Sequence, residues 1–177
     1  MNISIIALQS LDGFLARSNS DDLSWGTRED KEFFTSKTKE IGVMIMGSTT
    51  FENMKGIKGT AFRDRHVVVM TSRPEVYSIY TNEFAKKVEF ISGTPKDIVN
   101  HLETQGVRTA AIVGGSKVIQ QFIASKLVNE LFITIAPVIF GDGIPFCDGK
   151  VEDLKLELVS SKNISQNEVL LQYKFIH

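Results

Sequence analysis

Short apolar segments, separated by polar or amphipathic ones, run along most of the chain. Six of them have the length of a buried β-strand. They lie at residues 2–8, 43–46, 66–70, 88–91, 109–113 and 131–135. Because these runs are nearly continuous rather than alternating, they predict strands of a sheet that is covered on both faces.

The segments between these strands carry helix signals. The first predicted helix begins at Thr27, a suitable N-cap, has Glu29 and Asp30 in its first turn, and ends at Gly42. A short helix is predicted directly after Gly47. Two further amphipathic helices are predicted, from Thr94 to Gly106 and from Lys117 to Lys126.

The last part of the chain has a different pattern. Residues 154–161 and 169–175 alternate between apolar and polar positions, and the turn at 165–167 joins them into a hairpin. The order of elements predicts an α/β fold with a mixed, mostly parallel central sheet, helices on both faces and a C-terminal antiparallel hairpin. We find no repeat and no linker, so residues 1–177 are expected to form a single domain.

Composition narrows the classes of function. The 177 residues include 20 Lys and Arg against 21 Asp and Glu, and these charges are spread along the chain, which argues against a nucleic-acid partner. The apolar N-terminal run is too short for a membrane span and has no basic region before it. One cysteine and three scattered histidines give no disulfide and no metal-ligand spacing. We therefore expect a cytoplasmic protein with metal-free chemistry and no membrane partner.

Three strand-to-helix junctions are the candidate binding positions. In an open α/β sheet, ligands bind beyond the carboxyl ends of the strands, where helix N-termini offer N–H groups to phosphates. The junctions combine small or hydroxyl residues with turn positions and lie at 46–50, 71–73 and 113–117. Together they suit one dinucleotide, although the G-x-G-x-x-G fingerprint and the P-loop are absent. From the residues alone, the prediction stops at a nucleotide-binding α/β domain.

Several segments resemble dihydrofolate reductase. The strand and helix at 43–54 resemble a motif of that family, and Trp25 and Asp30 have its spacing from tryptophan to acid, with the pair Phe33-Phe34 after the acid. The Gly114-Gly115 junction with the helix and strand after it is similar to that family's cofactor helix and next strand. This resemblance extends to about Ala136.

Two other segments resemble the reductase domain of bacterial riboflavin biosynthesis, which shares the fold. They are Ser10–Gly13, after the first strand, and the longer motif Pro137–Phe146. The zinc motifs of the deaminase half of that bifunctional enzyme are absent, so the resemblance implies reduction only.

The resemblance implies a homodimeric reductase that uses NADPH, with NADH possible, and acts on a pyrimidine- or pterin-like substrate such as that of 5-amino-6-(5-phosphoribosylamino)uracil reductase. Asp30 is the expected catalytic acid, because hydride transfer to a C=N bond leaves charge on nitrogen that a nearby acid relieves. The expected cofactor-binding residues are Ala7, Leu15, Gly47, Ser48, Thr49, Thr50, Thr71, Ser72, Arg73, Val113, Gly114, Gly115, Ser116, Lys117 and Val118. The expected substrate-binding residues are Leu8, Asp12, Trp25, Phe34, Phe51, Arg65 and Thr134.

Some of these expectations are more specific. Trp25, Phe34 and Phe51 would line the site of a flat heteroaromatic ring. Arg65 would bind a carboxylate or phosphate of the substrate. Arg73 and Lys117 would hold the extra phosphate of NADPH. Ser48 stands where the dihydrofolate reductase family commonly has an arginine, so NADPH over NADH is a preference. The polar stretch at 18–22 is expected to form a mobile lid.

Three other functions stay open at this point. The first is a true dihydrofolate reductase, which the Trp25 to Asp30 spacing and Arg65 favour. The second is a nucleotide-binding module without catalysis. The third is a self-associating scaffold that uses the apolar segment 131–140.

Overall fold

The computed structural model describes residues 1–19, 21–55, 62, 64–83, 88–149 and 151–176. Their strands are β1 (Asn2–Ser10), β2 (Phe14–Ala16), β3 (Val43–Gly47), β4 (His66–Met70), β5 (Val88–Ile91), β6 (Thr109–Gly114), β7 (Glu130–Ala136), β8 (Ile144–Pro145), β9 (Lys155–Asn163) and β10 (Val169–Ile176). The helices are α1 (Arg28–Ile41), α2 (Ser48–Lys55), α3 (Ser78–Glu83), α4 (Pro95–Thr104) and α5 (Ser116–Ala124). A 3-10 turn at Pro74–Tyr77 precedes α3.

Eight strands form one sheet in the order β5-β4-β3-β6-β1-β7-β10-β9. Neighbouring strands from β5 to β7 pair in parallel, and β10 pairs antiparallel with both β7 and β9. The predicted fold class, a mixed and mostly parallel sheet with a C-terminal antiparallel hairpin, is therefore confirmed. The additional two-stranded sheet of β2 and β8 was not predicted, because strands of three and two residues show no periodicity.

Both faces of the central strands are covered, as the continuous apolar runs predict. Ile5 belongs to the cluster packed under α4 and α5, whereas the next residue, Ile6, belongs to a cluster under α1 that includes Phe33. Consecutive strand residues point to opposite faces, so a strand buried on both sides is apolar at every position.

The helix boundaries also follow the predicted signals. The Thr27 side chain accepts a hydrogen bond from the Asp30 amide at the start of α1, and Gly42 ends that helix with φ +84°. Thr94 and Asp97 form a complete capping box at the start of α4. The helix ends at Thr104, two residues before the predicted Gly106.

β9 is an edge strand whose nine residues are all exposed. Its alternating sequence predicts one buried face, but the strand lies beyond β10, where no described helix packs on it. In contrast, Leu131 and Ile133 of β7 are 5% and 6% exposed. The scaffold hypothesis requires segment 131–140 to be exposed. Residues 131–136 belong to β7 and are mostly buried, so little of this segment is left to contact a partner. The homodimer stays a prediction.

A carboxylate bridges two histidines near the opposite edge of the sheet. Glu89 Oε1 lies 2.5 Å from His66 Nε2, and Glu89 Oε2 lies 2.7 Å from His101 Nε2. Partial burial by itself raises the pKa of Glu89, but the hydrogen bond from His101 and the charge of His66 bring that pKa below its usual value. The bridge joins β4, β5 and α4.

We predict that Glu89→Gln lowers the free energy of unfolding by about 1 kcal/mol or less, the usual size for a partly exposed ion pair. Since the pKa of Glu89 is lowered by folding, its contribution is present above the unfolded value and is lost as pH falls through the folded one. Urea denaturation at pH 6 and pH 3 measures this. An equal difference between the two proteins at both pH values would contradict the assignment.

Candidate active site

The three predicted junctions lie side by side. They follow β4, β3 and β6, which are neighbours in the sheet and run in parallel, so that their carboxyl ends meet at one edge. Gly47 is paired with Met70, and Met46 with Gly114. The chain therefore brings together the segments that the sequence analysis predicted for a dinucleotide.

Glycines let these junctions pack closely against one another. A Cβ on Gly114 would lie 3.2 Å from Thr50 Oγ1, and one on Gly115 would lie 3.3 Å from the same atom. A Cβ on Gly47 would lie 3.2 Å from Val118 Cγ2. Gly114 has φ +132°, and the Gly114–Gly115 peptide bond is cis. The edge is therefore shaped by bare backbone, which suits the close approach of a phosphate.

The helix that follows this edge, α5, begins without a side-chain cap. The N-cap of α5 is Gly115, which has no side chain to satisfy the first N–H groups of the helix. Ser72, Arg73 and Lys117 around the junctions are exposed. The combination of helix N-terminus, glycine backbone and cations has the donor set that a pyrophosphate requires.

Besides Gly114, two residues expected at the cofactor have buried side chains. Ser116 is 5% exposed, and its hydroxyl donates to the Pro145 carbonyl at 2.5 Å. Val118 is 7% exposed and belongs to the main core. Both serve here to fix α5 against its surroundings, and their cofactor contact stays a prediction.

Asp30, the expected catalytic acid, is a buried carboxyl. It is the third residue of α1 and is 8% exposed. Burial raises its pKa to about 6, and the charge of Glu168 acts in the same direction, while a hydrogen bond with Thr134 and the charge of Lys31 oppose the rise. A carboxyl of this kind exchanges its proton near neutral pH.

The residues around Asp30 come from three elements. Leu8 of β1 is paired with Thr134 of β7, and Thr134 is hydrogen-bonded to Asp30. Gly26 lets the preceding turn approach, because a Cβ there would lie 2.5 Å from Leu8 Cδ2 and 3.6 Å from Asp30 Oδ2. The structure thus groups Leu8, Asp30 and Thr134 at the edge that also carries the junctions.

Trp25 and Phe34 flank this region and are partly exposed. The Trp25 ring meets Phe140 edge to face, with centroids 5.1 Å apart. The buried indole Nε1 of Trp25 has no hydrogen-bond partner among the described residues. Buried donors are normally satisfied, so this atom is suited to a ligand or a water molecule. Ala7 and Leu15, which the sequence analysis expects at the cofactor, are partly buried and pack against the main core.

Two side chains expected on the substrate side are buried. Phe51 is fully buried in a cluster that includes Phe62 and Phe90. Arg65 is 3% exposed, and its Nη2 donates to the Thr35 carbonyl at 2.9 Å, which ties the segment before β4 to α1. The substrate contacts of both residues stay predictions.

Asp12 fastens the motif that resembles the riboflavin-pathway reductase. Its Oδ1 accepts from Ser10 Oγ at 2.6 Å, and its Oδ2 accepts from the amides of Phe140 and Gly141 at 3.1 and 2.7 Å. The Ser10 hydrogen bond is the main cause of a lowered pKa of Asp12, and the two backbone hydrogen bonds add to it. Both oxygens are thus engaged in holding the loop, and the predicted substrate contact stays a prediction.

The fastened loop forms one wall of an open cavity of about 420 Å³. Its lining residues are Arg17, Val138, Ile139, Phe140 and Asp142. The guanidinium of Arg17 lies 4.4 Å from the centre of the Phe140 ring and 3.5 Å from Asp21 Oδ2. The lid motion predicted for 18–22 stays a prediction, and Ser20 lies outside the described residues.

Sequence reasoning missed Glu168, a buried carboxylate beside Asp30. Glu168 is 1% exposed and lies at the end of the hairpin turn, 138 residues away from Asp30 in the chain. A single glutamate in a polar turn has no signature that separates it from a solvated one. The one signal that the end of this turn is buried was the pair of apolar residues directly after Glu168, Val169 and Leu170.

Comparison with known proteins places this geometry in a family. The family model described as the RibD C-terminal domain matches residues 2–170. The chain belongs to the RibD C-terminal domain family. A curated relative, the uncharacterized protein YwjB of Bacillus subtilis, is 25% identical over 160 residues, which cover 89% of this chain and 88% of YwjB.

Solved structures show the same fold for this RibD C-terminal domain. A putative riboflavin biosynthesis protein from Shewanella sp. PV-4 has a TM-score of 0.81 at 22% identity, with all of both chains covered. Dihydrofolate reductase from Enterococcus faecalis, in a complex with NADP(H), has a TM-score of 0.74 at 20% identity over 99% of this chain and 97% of that one. The resemblance to the riboflavin-pathway domain and the dihydrofolate-reductase-like fold expected from the sequence are both confirmed.

The described part of this RibD C-terminal domain shows neither a membrane-spanning helix nor a cluster of metal ligands. None of its described helices is both long enough and apolar enough to cross a membrane. Among the described residues, no cluster of three or more His, Cys, Asp or Glu side chains is arranged to hold a metal ion.

We predict that Asp12→Asn loosens the loop at 138–143, because an amide replaces one of its two accepting oxygens by a donor. Limited proteolysis should cleave this loop severalfold faster in the variant. Asp22→Asn is the matched control, since Asp22 is an exposed aspartate that accepts from Ser24, two residues away in its own turn. Equal cleavage rates in the two variants would contradict the role of Asp12.

Proposed function

We propose that this protein is an NADPH-dependent reductase that delivers hydride to a C=N bond of a pyrimidine- or pterin-like substrate, as 5-amino-6-(5-phosphoribosylamino)uracil reductase does. One observation carries the proposal: a buried carboxyl with a pKa of about 6 lies at the same sheet edge as three adjoining glycine and hydroxyl junctions. Hydride transfer to a C=N bond needs both a nucleotide site and a proton source.

The junction residues fit a nicotinamide dinucleotide. The bare backbone at Gly47, Gly114 and Gly115 and the first amides of α5 would hold the pyrophosphate, and Arg73 and Lys117 would meet the extra phosphate of NADPH. The bound cofactor supplies a hydride, which is two electrons and a proton, to the carbon of the C=N bond. Ser48 is uncharged, so selectivity for NADPH over NADH depends on the two cations.

Asp30 provides the second half of the reaction. Its proton passes to the substrate nitrogen as the carbon receives hydride, so the C=N double bond becomes a C–N single bond that carries a new N–H. The carboxylate left behind takes a proton back from water. Thr134, hydrogen-bonded to Asp30, fixes the orientation of the carboxyl during both steps.

The substrate side combines aromatic and polar groups. Trp25 and Phe34 offer partly exposed rings, and the unpartnered Trp25 Nε1 offers a donor to a polar heterocycle. The cavity beside Phe140 adds Arg17 and Asp142, which suit a substrate with hydroxyl or phosphate substituents. These features support a substrate larger and more polar than a bare ring.

Dihydrofolate reduction is the second candidate function. The Trp25 to Asp30 spacing and the Thr134 hydrogen bond favour it, while Arg65, the cation expected for the carboxylate of folate, is buried. Loss of NADPH absorbance with dihydrofolate, measured beside the ribosylaminopyrimidine substrate, separates the two. No oxidation with either substrate would overturn both.

We predict that Asp30→Asn lowers kcat/KM by roughly 10²–10⁴, the usual contribution of a general acid. NADPH affinity, measured by fluorescence titration, should not change. In the wild type, kcat/KM should fall as pH rises through about 6, because the protonated form of Asp30 is the donor. Glu29→Gln is the matched control, since Glu29 is exposed in the same helical turn. A non-catalytic binding module would show no turnover in any of these proteins.

We predict that Gly114→Ala weakens NADPH binding by about tenfold or more, since a side chain costs about 1–3 kcal/mol in such backbone regions and would also press on Thr50. Isothermal titration calorimetry measures the affinity. Gly106→Ala is the control, because Gly106 also has a positive φ, of +79°, but a Cβ there meets nothing within 4 Å. Equal affinities in the two variants would argue against a nucleotide at this junction.

A further inference from the structure

A second buried carboxylate, Glu168, is bonded to the residue that caps α1. Glu168 Oε1 accepts from the Thr27 amide at 3.1 Å, and Glu168 Oε2 accepts from the Thr27 hydroxyl. The hairpin turn holds Glu168 in place, since its amide donates to Ser165 Oγ at 3.1 Å and its carbonyl accepts from the Ile164 amide at 2.9 Å. With 1% exposure, it is shielded from water.

Thr27 connects this carboxylate to Asp30. The Thr27 hydroxyl has one hydrogen, which it donates to Glu168, and its oxygen accepts from the Asp30 amide at 3.3 Å. Glu168 therefore fixes the direction of the hydroxyl that caps the helix. Through this single residue, the hairpin turn sets the position of the first turn of α1, which carries Asp30.

We propose that Glu168 is a positioning residue: through Thr27 it fixes the first turn of α1, which carries Asp30, and it helps to keep the proton on Asp30. The proposed function assigns the donor role to Asp30, and the inference rests on that function for its catalytic meaning. The arrangement of the two carboxyls is independent of it.

Glu168 and Asp30 are both buried, but their hydrogen-bond partners differ. Glu168 accepts two hydrogen bonds from Thr27 at the N-terminal end of α1. Asp30 is in the first turn of the same helix, near Leu8, and has a hydrogen bond with Thr134. Two carboxylates in one poorly solvated site do not both ionise readily, so one proton is retained.

The charged groups that act on Asp30 have opposite effects. Glu168 raises the pKa of Asp30, and Lys31 on α1 lowers it, although both effects are smaller than that of burial. From the other elements around Asp30, β1 contributes Leu8, which is apolar, and β7 contributes Thr134, which does not titrate. When the Glu168 charge is removed, Lys31 still lowers the pKa of Asp30, and burial alone among these effects raises it.

A purely structural role for Glu168 predicts a different result. If it only capped α1, its loss would lower stability without moving the titration of Asp30. The test must therefore read the protonation of Asp30 directly and must not depend on turnover.

The experiment is ¹³C NMR of the aspartate and glutamate side-chain carboxyls in the ligand-free protein, with the Asp30 signal assigned from its loss in Asp30→Asn. In Glu168→Gln, we expect the acid dissociation constant of Asp30 to rise by about tenfold, the usual scale for loss of a neighbouring like charge. Glu130→Gln is the matched control, since Glu130 is a partly buried, hydrogen-bonded carboxylate of β7 that accepts from Ser4 and Gln172. An unchanged Asp30 titration in folded Glu168→Gln would overturn the proposal.

The wild type provides a second test that needs no folded variant. The Asp30 signal should titrate near pH 6, above the usual range of an aspartate. Titration of Asp30 at the ordinary value of a solvated aspartate would overturn the proposal. If turnover is found, the pH at which kcat/KM falls should move to lower values in Glu168→Gln. A shifted titration without turnover in any protein would contradict the proposed function alone.

Discussion

Parallel pairing of the strands from β5 to β7 is the constraint on which the rest of the structure depends. Since these strands run in one direction, every loop after a carboxyl end lies at the same edge of the sheet. Junctions that are far apart in sequence, such as those after Gly47 and Gly114, become neighbours for this reason. The same edge receives the N-terminus of α1, which brings Asp30 beside strands β1 and β7. The parallel pairing thus places the proposed dinucleotide site and the proposed proton donor at one edge of the sheet.

The antiparallel addition of β10 to this sheet has a second effect. It carries the hairpin turn back to the edge where the parallel strands end, and Glu168 reaches the cap of α1 there. The C-terminal hairpin is therefore part of the electrostatics of the site as well as of the sheet. Burial, rather than proximity alone, gives the Asp30 carboxyl its raised pKa, and the neighbouring charge adds to that effect.

Much of the fold could be predicted because its signals are local. Thr27, Gly42 and the Thr94–Asp97 box mark helix ends through interactions within a few residues, and buried parallel strands are visible as continuous apolar runs. The junction residues could be predicted for the same reason. The burial of Phe51 and Arg65 could not be predicted, because a residue's type does not say whether a neighbouring element covers it. Glu168 was missed because its hydrogen-bond partner, Thr27, lies 141 residues away in the chain.

The exposed β9 edge has a consequence for how copies of this chain can associate. Its unpaired backbone invites another strand, while Lys155, Glu157 and Lys162 place charges along it that oppose uncontrolled stacking. A strand that pairs with its own symmetry copy about a two-fold axis uses up the free edge of both molecules. Growth through β9 would therefore end at two copies, so the geometry of this edge favours a closed assembly over a fibre.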